Sequence, residues 1–169
     1  MKSTHAKSPP KTSRLLAYLL LDRLYAEHVC EWAVAALEAG FDTEALAMLA
    51  SMSLQREPSL YEVKPFLSNA LQELQIPEPT DQEAVLRAYA KNLAEDMAAG
   101  QLPARAVLDE MHSVVVGPLN HPPDLMGWCY LWEGNSADAS FTQISEEETE
   151  LEAKVFAKKW LASLGKSAA

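Results

Sequence analysis

The sequence predicts an all-α protein, a single-domain bundle of antiparallel helical hairpins with about six to eight helices. Gly40, Gly100 and Gly165 each follow a segment with helical apolar periodicity, where a left-handed residue commonly ends a helix. Capping-box patterns that mark helix starts are Ser59-x-x-Glu62, Thr80-x-x-Glu83 and Ser145-x-x-Glu148. No β-rich run with a period of two residues competes with this pattern.

The apolar periodicity gives the order of the predicted helices. They cover about residues 14–39 with a break near Tyr25, then 42–52, 60–74, 81–99, 103–116 and 146–164. The apolar stripe of helix 60–74 keeps its phase across Pro65, which predicts one kinked helix with the proline ring on the solvent side. Helix 42–52 is apolar nearly all round, so it is either central in the fold or a docking surface, within one chain or between two.

Length and charge bound the organisation of the chain. With 169 residues and 49% hydrophobic content, the chain fits one helical domain over residues 14–165. A disordered basic tail is expected over residues 1–13 and a disordered C-terminus over 166–169. Residues 1–14 carry four bases and no acid, whereas residues 15–153 carry all 24 acids and six bases. The body of the protein is therefore strongly anionic.

This charge predicts the class of partner. An anionic surface repels nucleic acid and anionic membranes, so neither is expected as a partner, and a basic protein is favoured. The apolar run Leu15–Leu21 is too short for a signal peptide or a membrane span. The two cysteines, Cys30 and Cys129, are expected to be reduced thiols in a cytoplasmic protein.

The aromatic stretch HPPDLMGWCYLWEGNS, residues 121–136, can be structural or functional. A short helix from Pro123 places one set of side chains on a single face: Leu125, Trp128, Cys129 and Trp132. This pattern favours a structural role, with Tyr130 near the surface and the following EGNSADAS mobile. The alternative is that Met126, Tyr130 and Trp132 anchor a protein interface, because Trp and Tyr dominate such contacts.

The acidic run SEEETELE, residues 145–152, also allows two interpretations. Glu146, Glu147 and Glu148 most simply form a solvated helix start, where carboxylates interact favourably with the helix dipole. The alternative is an acidic patch for a basic partner. We therefore include these three glutamates with Met126, Tyr130 and Trp132 as the candidate interface.

Motifs that carry catalytic chemistry are mostly missing. Phosphate-binding loops, dinucleotide fingerprints, serine-hydrolase elbows and common zinc motifs have no counterpart in the sequence. The best metal candidate combines Asp109-x-x-His112 with His28-x-x-Glu31, since residues three apart are neighbours on a helix. A Cys–His nucleophile could pair Cys129 with His112 or His121, but burial of the thiol would make it unreactive. The sequence thus favours no catalytic residue, no metal ligand and no cofactor.

The segment EWAVAALEAGFDTEALAMLASM, residues 31–52, resembles the opening of an uncharacterised set of small helical bacterial proteins. In that set a Trp-bearing helix, a Gly-aromatic-Asp turn and a Leu-x-x-Leu-Ala helix recur. The matching positions are Trp32, Gly40, Phe41, Asp42, Leu46, Leu49 and Ala50. They are packing residues, so the resemblance implies a helical fold for the first half of the chain and no activity.

Taken together, these patterns predict a non-enzymatic, acidic, helical protein-interaction module. An inhibitor or immunity-type protein that shields a cationic partner is one concrete form of this hypothesis. The alternative is a metal-binding or enzymatic helical bundle that uses Asp109 and His112. A homodimer stays open, because the apolar helix 42–52 could pack against a second copy.

Overall fold

The computed structural model describes residues 8–54, 58–134 and 145–167, which form helices joined by turns and loops, with no strand among them. The helices are α1 (Thr12–Leu20), α2 (Ala26–Glu38), α3 (Glu44–Met52), α4 (Leu60–Glu73), α5 (Gln82–Ala98), α6 (Ala104–Glu110), α7 (Met126–Gly134) and α8 (Glu146–Ser167). A π-helical turn, Met111–Val116, follows α6, and a 3₁₀ turn, Pro123–Leu125, precedes α7. The predicted all-α class is confirmed.

The contacts divide the chain into two compact units, Met1–Gln82 and Glu83–Ala169, called unit 1 and unit 2 below. Helices α1 to α4 belong to unit 1, and α6 to α8 with the π-helical turn belong to unit 2. Helix α5 falls in unit 2 apart from its first residue, Gln82. The single domain expected from the length stays a prediction.

Helix α2 is the centre of unit 1, since it packs on α1, α3 and α4. Its Trp32 is fully buried, and the indole Nε1–H donates a hydrogen bond of 3.0 Å to Thr12 Oγ1. The Thr12 hydroxyl in turn donates to the Pro9 carbonyl oxygen at 2.8 Å. These two hydrogen bonds satisfy the buried polar atoms of Trp32 and Thr12. It also fixes the start of α1 at Thr12, two residues before the predicted start.

The bounds of helices α3 and α4 lie within two residues of the predicted bounds. Thr43 caps α3, and its side chain accepts a hydrogen bond from the Leu46 N–H at 3.3 Å. The Ser59–Glu62 capping box forms at the start of α4. Helix α4 continues through Pro65, which is exposed as predicted.

Helix α3 has both a buried and an exposed face. Leu46 and Leu49 are fully buried, whereas the Met48 side chain is 43% exposed. The helix is therefore part of the core of unit 1 while one side of it faces outward.

In unit 2, α6 packs on α7, on α8 and on the π-helical turn. Trp128 of α7 is buried and meets the rings of Phe156 and Trp160 edge-on at 4.8 and 5.5 Å between centroids. Gly127 permits this approach, because a Cβ atom there would lie 2.5 Å from Phe156 Cζ. The glycine thus allows the Phe156 ring of α8 to lie against the backbone of α7.

The predicted helix stops are confirmed at two of the three glycines. Gly40 and Gly100 have φ angles of 88° and 74°, the left-handed conformation expected just after a helix. The stop predicted at Gly165 is wrong, because α8 continues to Ser167. A helix tolerates glycine near its end at a cost of roughly 1 kcal/mol relative to alanine.

Among the described helices, none combines the length and the apolar character that crossing a membrane requires.

Candidate metal centre

Unit 2 brings together the side chains of His112, His121 and Cys129. One ligand atom from each residue, an imidazole nitrogen or the thiol sulfur, lies within 4.8 Å of the other two. His121 is exposed, His112 is half-buried and Cys129 is buried. The cluster therefore lies at the edge of the core, with one side open to solvent.

His112 occupies the second position of the π-helical turn. The Gly117 N–H donates to the His112 carbonyl oxygen at 3.0 Å, a bond between residues five apart. A Cβ atom at Gly117 would lie 3.2 Å from that oxygen, so glycine suits this close approach. Such π-helical turns are rare and occur frequently at functional sites. The backbone around His112 is thus an irregular one.

The chain then folds back so that His121 reaches the same place. Asn120 and His121 both have left-handed φ angles, 60° and 56°, which L-residues other than glycine rarely adopt. The Asn120 N–H donates to the Gly117 carbonyl and the His121 N–H to the Val116 carbonyl, both at 2.9 Å. The same pair of hydrogen bonds surrounds the left-handed Gln75 after α4, so Asn120 is an ordinary helix cap, and the unusual feature is the second left-handed residue, His121. The turn from Gly117 to His121 places the second imidazole beside the first.

Helix α7 supplies the third donor. Cys129 is 2% exposed, and burial raises the pKa of its thiol, with a further contribution from the negative charge of Glu133. A raised pKa favours the neutral thiol, which is a poor nucleophile. Coordination to a metal ion deprotonates a thiol outright, so the same sulfur can serve as a ligand.

The separation of the three donors is close to that of a coordination shell. A tetrahedral Zn²⁺ ion with Zn–N of about 2.0 Å and Zn–S of about 2.3 Å holds its donors about 3.3–3.7 Å apart. The observed donors lie within 4.8 Å of one another, so movements of about 1 Å would bring them into this range. Because His121 is exposed, rotation of its side chain can supply such a movement.

The imidazole of His112 is held by its neighbours. It stacks on the Trp132 indole with 3.8 Å between ring centroids and an interplanar angle of 3°. The Trp132 Nε1–H donates to Asp109 Oδ1 at 2.8 Å, and Arg105 Nε donates to Asp109 Oδ2 at 3.2 Å. The centroid of the His121 ring lies 6.2 Å from that of the His112 ring, and the two rings are inclined by 66°.

The metal residues considered from the sequence are placed differently. Asp109 contacts Trp132 and Arg105 and does not belong to the cluster of three donors. His28 and Glu31 belong to unit 1, where the His28 ring stacks on Tyr18 at 4.7 Å and Glu31 pairs with Arg14 at 3.9 Å. Of the four, only His112 lies in the cluster.

The structure also places the residues of the candidate interface. Tyr130 is 65% exposed, whereas Met126 and Trp132 are half-buried, and Trp132 is engaged with His112. Glu147 and Glu148 are exposed, and the side chain of Glu146 lies outside the described residues. Glu148 accepts hydrogen bonds from the Ser145 N–H and hydroxyl at 3.0 and 3.2 Å, which forms the predicted capping box. The segment EGNSADAS, predicted to be mobile, lies outside the described residues from Asn135 to Ser140.

The sequence gives little indication of the cluster itself. The three donors are nine and eight residues apart at positions 112, 121 and 129, which matches no common metal-binding spacing. The sequence does point to the Cys129–His112 and Cys129–His121 pairs, though for a nucleophile. The π-helical turn and the left-handed pair, which bring all three together, leave no periodic signature.

Comparison of the chain with protein-family models, curated proteins and solved structures finds no match. The resemblance of residues 31–52 to small helical bacterial proteins therefore stays an expectation.

Proposed function

We propose that this chain is a helical protein that binds a transition-metal ion, with Zn²⁺ as the first candidate, through His112, His121 and Cys129. The single observation that supports this proposal most strongly is the convergence of two imidazoles and one thiol within 4.8 Å of one another. Nitrogen and sulfur donors are the ligands that Zn²⁺ takes in proteins, whereas Mg²⁺ and Ca²⁺ take oxygen.

The backbone at the cluster supports the same proposal. A π-helical turn at His112 and the left-handed backbone of His121 are unfavourable locally, and both lie where the two imidazoles come together. Three protein ligands would leave one coordination position for water or a small ligand, as in catalytic zinc sites.

Metal titration of the full chain tests the proposal. We expect one equivalent of Zn²⁺ to bind, and Co²⁺ to give the near-ultraviolet absorption of a thiolate–cobalt bond. His112→Ala, His121→Ala and Cys129→Ser should each weaken Zn²⁺ binding by more than the roughly 10–100-fold that outer-shell substitutions cause. Binding is measured by competition with a chromophoric chelator.

The chain offers matched controls for these variants. His28→Ala and Cys30→Ser change the same residue types in unit 1, at residues that do not belong to the cluster, and should bind Zn²⁺ as the wild type does. If the wild type binds no stoichiometric metal, or if the controls lose as much affinity as the ligand variants, the assignment of the site is wrong.

A second candidate function is the binding of a basic protein partner, and a specific feature of unit 1 favours it. A cavity of about 510 Å³ runs beside α2, with Cys30, Val34, Ala35 and Pro58 among its lining residues. Glu27, Glu31 and Glu38 also line it, against one lysine, Lys11. A cavity that is lined by both acidic and apolar side chains suits a basic segment, since complementary charge increases association rate and specificity.

Co-purification from native cells tests this second candidate. We expect a basic partner whose association weakens as salt is raised, because the attraction is electrostatic. The double charge reversal Glu27→Lys with Glu38→Lys should abolish the association. Reversal of two glutamates of the acidic run, Glu147→Lys with Glu148→Lys, tests whether the candidate interface predicted from the sequence binds the partner. A complex that is insensitive to salt and to both reversals would contradict a charge-driven interaction.

A further inference from the structure

We infer that Trp132 and Asp109 form a clamp that positions His112 for metal binding, an inference that rests on the proposed metal site. The clamp is defined by these two side chains. Trp132 lies parallel to the His112 ring at 3.8 Å, so the indole covers one face of the imidazole. The ring nitrogens of an imidazole lie in its plane, and coordination through them is compatible with a stack on the face.

The indole is itself held by a hydrogen bond from its ring nitrogen. Its Nε1–H donates to Asp109 Oδ1 at 2.8 Å, and the other carboxylate oxygen accepts from Arg105 Nε at 3.2 Å. The Ser113 hydroxyl donates to the Asp109 carbonyl oxygen at 2.7 Å, which links the backbone of α6 to the π-helical turn. Asp109 therefore holds the Trp132 indole through a hydrogen bond, and the indole holds the His112 ring through the stack.

The restraint has a physical consequence for binding. A free imidazole rotates about its side-chain bonds, and ordering it on binding costs conformational entropy. A ring already held by stacking loses less freedom when the metal arrives. Partners of this outer-shell kind typically change metal affinity by about 10–100-fold. Asp109 thus contributes through the indole, and the pair Asp109-x-x-His112 consists of a positioning residue and a ligand.

Substitutions at Asp109 separate a positioning role from a ligand role. Asp109→Ala removes the acceptor of the indole N–H, and Zn²⁺ affinity should fall by about 10-fold. Asp109→Asn keeps an oxygen that can accept this hydrogen bond, so its affinity should stay within about twofold of the wild type. Trp132→Ala should lower Zn²⁺ affinity about as much as Asp109→Ala does. Trp132→Phe keeps an aromatic face, so its affinity should fall between those of Trp132→Ala and the wild type. Zn²⁺ alone is the probe, in competition with a chelator.

Asp124→Ala is the matched control, because Asp124 is another exposed aspartate of unit 2 that is paired with an arginine, Arg87. Its affinity for Zn²⁺ should be unchanged, and far-ultraviolet circular dichroism should show the same helix content in all variants. If Asp109→Asn loses as much affinity as Asp109→Ala, the carboxylate is a ligand and the clamp is wrong. If His112→Ala loses binding while the Asp109 and Trp132 variants do not, the clamp alone is wrong. If the wild type binds no Zn²⁺, both proposals are overturned.

Discussion

His121 combines a proposed ligand with an unfavourable backbone conformation, and the two properties can be separated by mutation. At a φ of 56° a side chain with a Cβ atom is strained by about 1–2 kcal/mol, whereas glycine is not. His121→Gly should therefore stabilise the metal-free protein by about 0.5–1 kcal/mol, after the greater chain entropy of glycine in the unfolded state is subtracted. The same variant should lose Zn²⁺ binding. Thermal unfolding in the presence of a chelator, and metal titration, measure the two effects.

Asn120→Gly is the control for this prediction, because Asn120 has nearly the same φ, 60°, and is not one of the three donors. It should also stabilise the metal-free protein and should keep Zn²⁺ binding. A metal-free His121→Gly protein that is less stable than the wild type would mean that the imidazole contributes packing that outweighs the strain.

The two tryptophans of α7 show which residue-scale features the sequence predicts. Helical spacing places Trp128 on the buried face, and it is 1% exposed. The same spacing groups Trp132 with it, but Trp132 is half-buried and stacks on His112. The spacing predicts the face of α7 on which a side chain lies, whereas the partner of Trp132 depends on the π-helical turn that positions His112.

At the scale of elements, α8 caps α6 through Glu150. The Ala104 N–H at the start of α6 donates to Glu150 Oε2 at 2.7 Å, and Lys154 pairs with Oε1 at 3.0 Å. These interactions lower the pKa of the Glu150 carboxyl, with the hydrogen bond from Ala104 as the larger cause. Pro103, just before the helix, makes no side-chain cap of its own. Glu150, which is distant from α6 in sequence, therefore accepts the hydrogen bond that an N-cap side chain usually accepts.

Glu150→Gln keeps an oxygen that can accept the Ala104 N–H, but it removes the negative charge that pairs with Lys154 and with the start of α6. It should therefore destabilise the protein at pH 7 by about 0.3–1 kcal/mol. A carboxyl whose pKa is lowered in the folded state stabilises the fold above its unfolded pKa, about 4.3 for glutamate. This stabilisation is lost as the pH falls through the lower pKa of the folded state. The difference between wild type and variant should thus shrink below about pH 4. Urea denaturation at a series of pH values measures it.

Glu152→Gln, an exposed glutamate on the same helix, is the control and should change stability little at any pH. A Glu150→Gln effect that stays constant down to low pH would show that the carboxylate charge is not its source.

Pro65 gives a second prediction at the element scale. It lies inside α4 and has no N–H to donate to the Tyr61 carbonyl oxygen, so one helical hydrogen bond is missing. Because the proline is exposed, alanine can replace it without leaving a cavity. Pro65→Ala should therefore stabilise the protein by about 1–3 kcal/mol. Thermal unfolding should show a higher Tm than in the wild type or in the control Lys64→Ala. A lower Tm would mean that the rigidity of proline in the unfolded chain outweighs the missing bond.

The helices themselves were predictable because their signals are local. The capping boxes at Ser59 and Ser145 place donor and acceptor within four residues of each other, so each can be read from one short window. The π-helical turn of unit 2 could not be predicted in this way. Residues 103–116 keep one apolar stripe, and the stripe does not reveal that the hydrogen bonds change to partners five residues apart.

At the scale of the whole molecule, charge follows from composition whereas division into units does not. The 24 acids against 14 bases are counted directly, and the prediction of a basic partner rests on them. Apolar stripes show which face of a helix is covered, but they do not show which helix covers it. Two compact units in one chain of 169 residues are therefore a structural finding.

The proposed metal site and the two units together predict where Zn²⁺ stabilises the molecule. All three donors lie in unit 2, so Zn²⁺ binding stabilises first the residues that must be folded to hold the donors. At a free Zn²⁺ concentration of about 100 times Kd, that stabilisation is about 2.7 kcal/mol. Amide hydrogen exchange should slow in residues 83–134 and 145–167 and change little in unit 1. His112→Ala should abolish the slowing. If Zn²⁺ slows exchange equally in both units, they unfold together, and the single cooperative domain predicted from the length is correct.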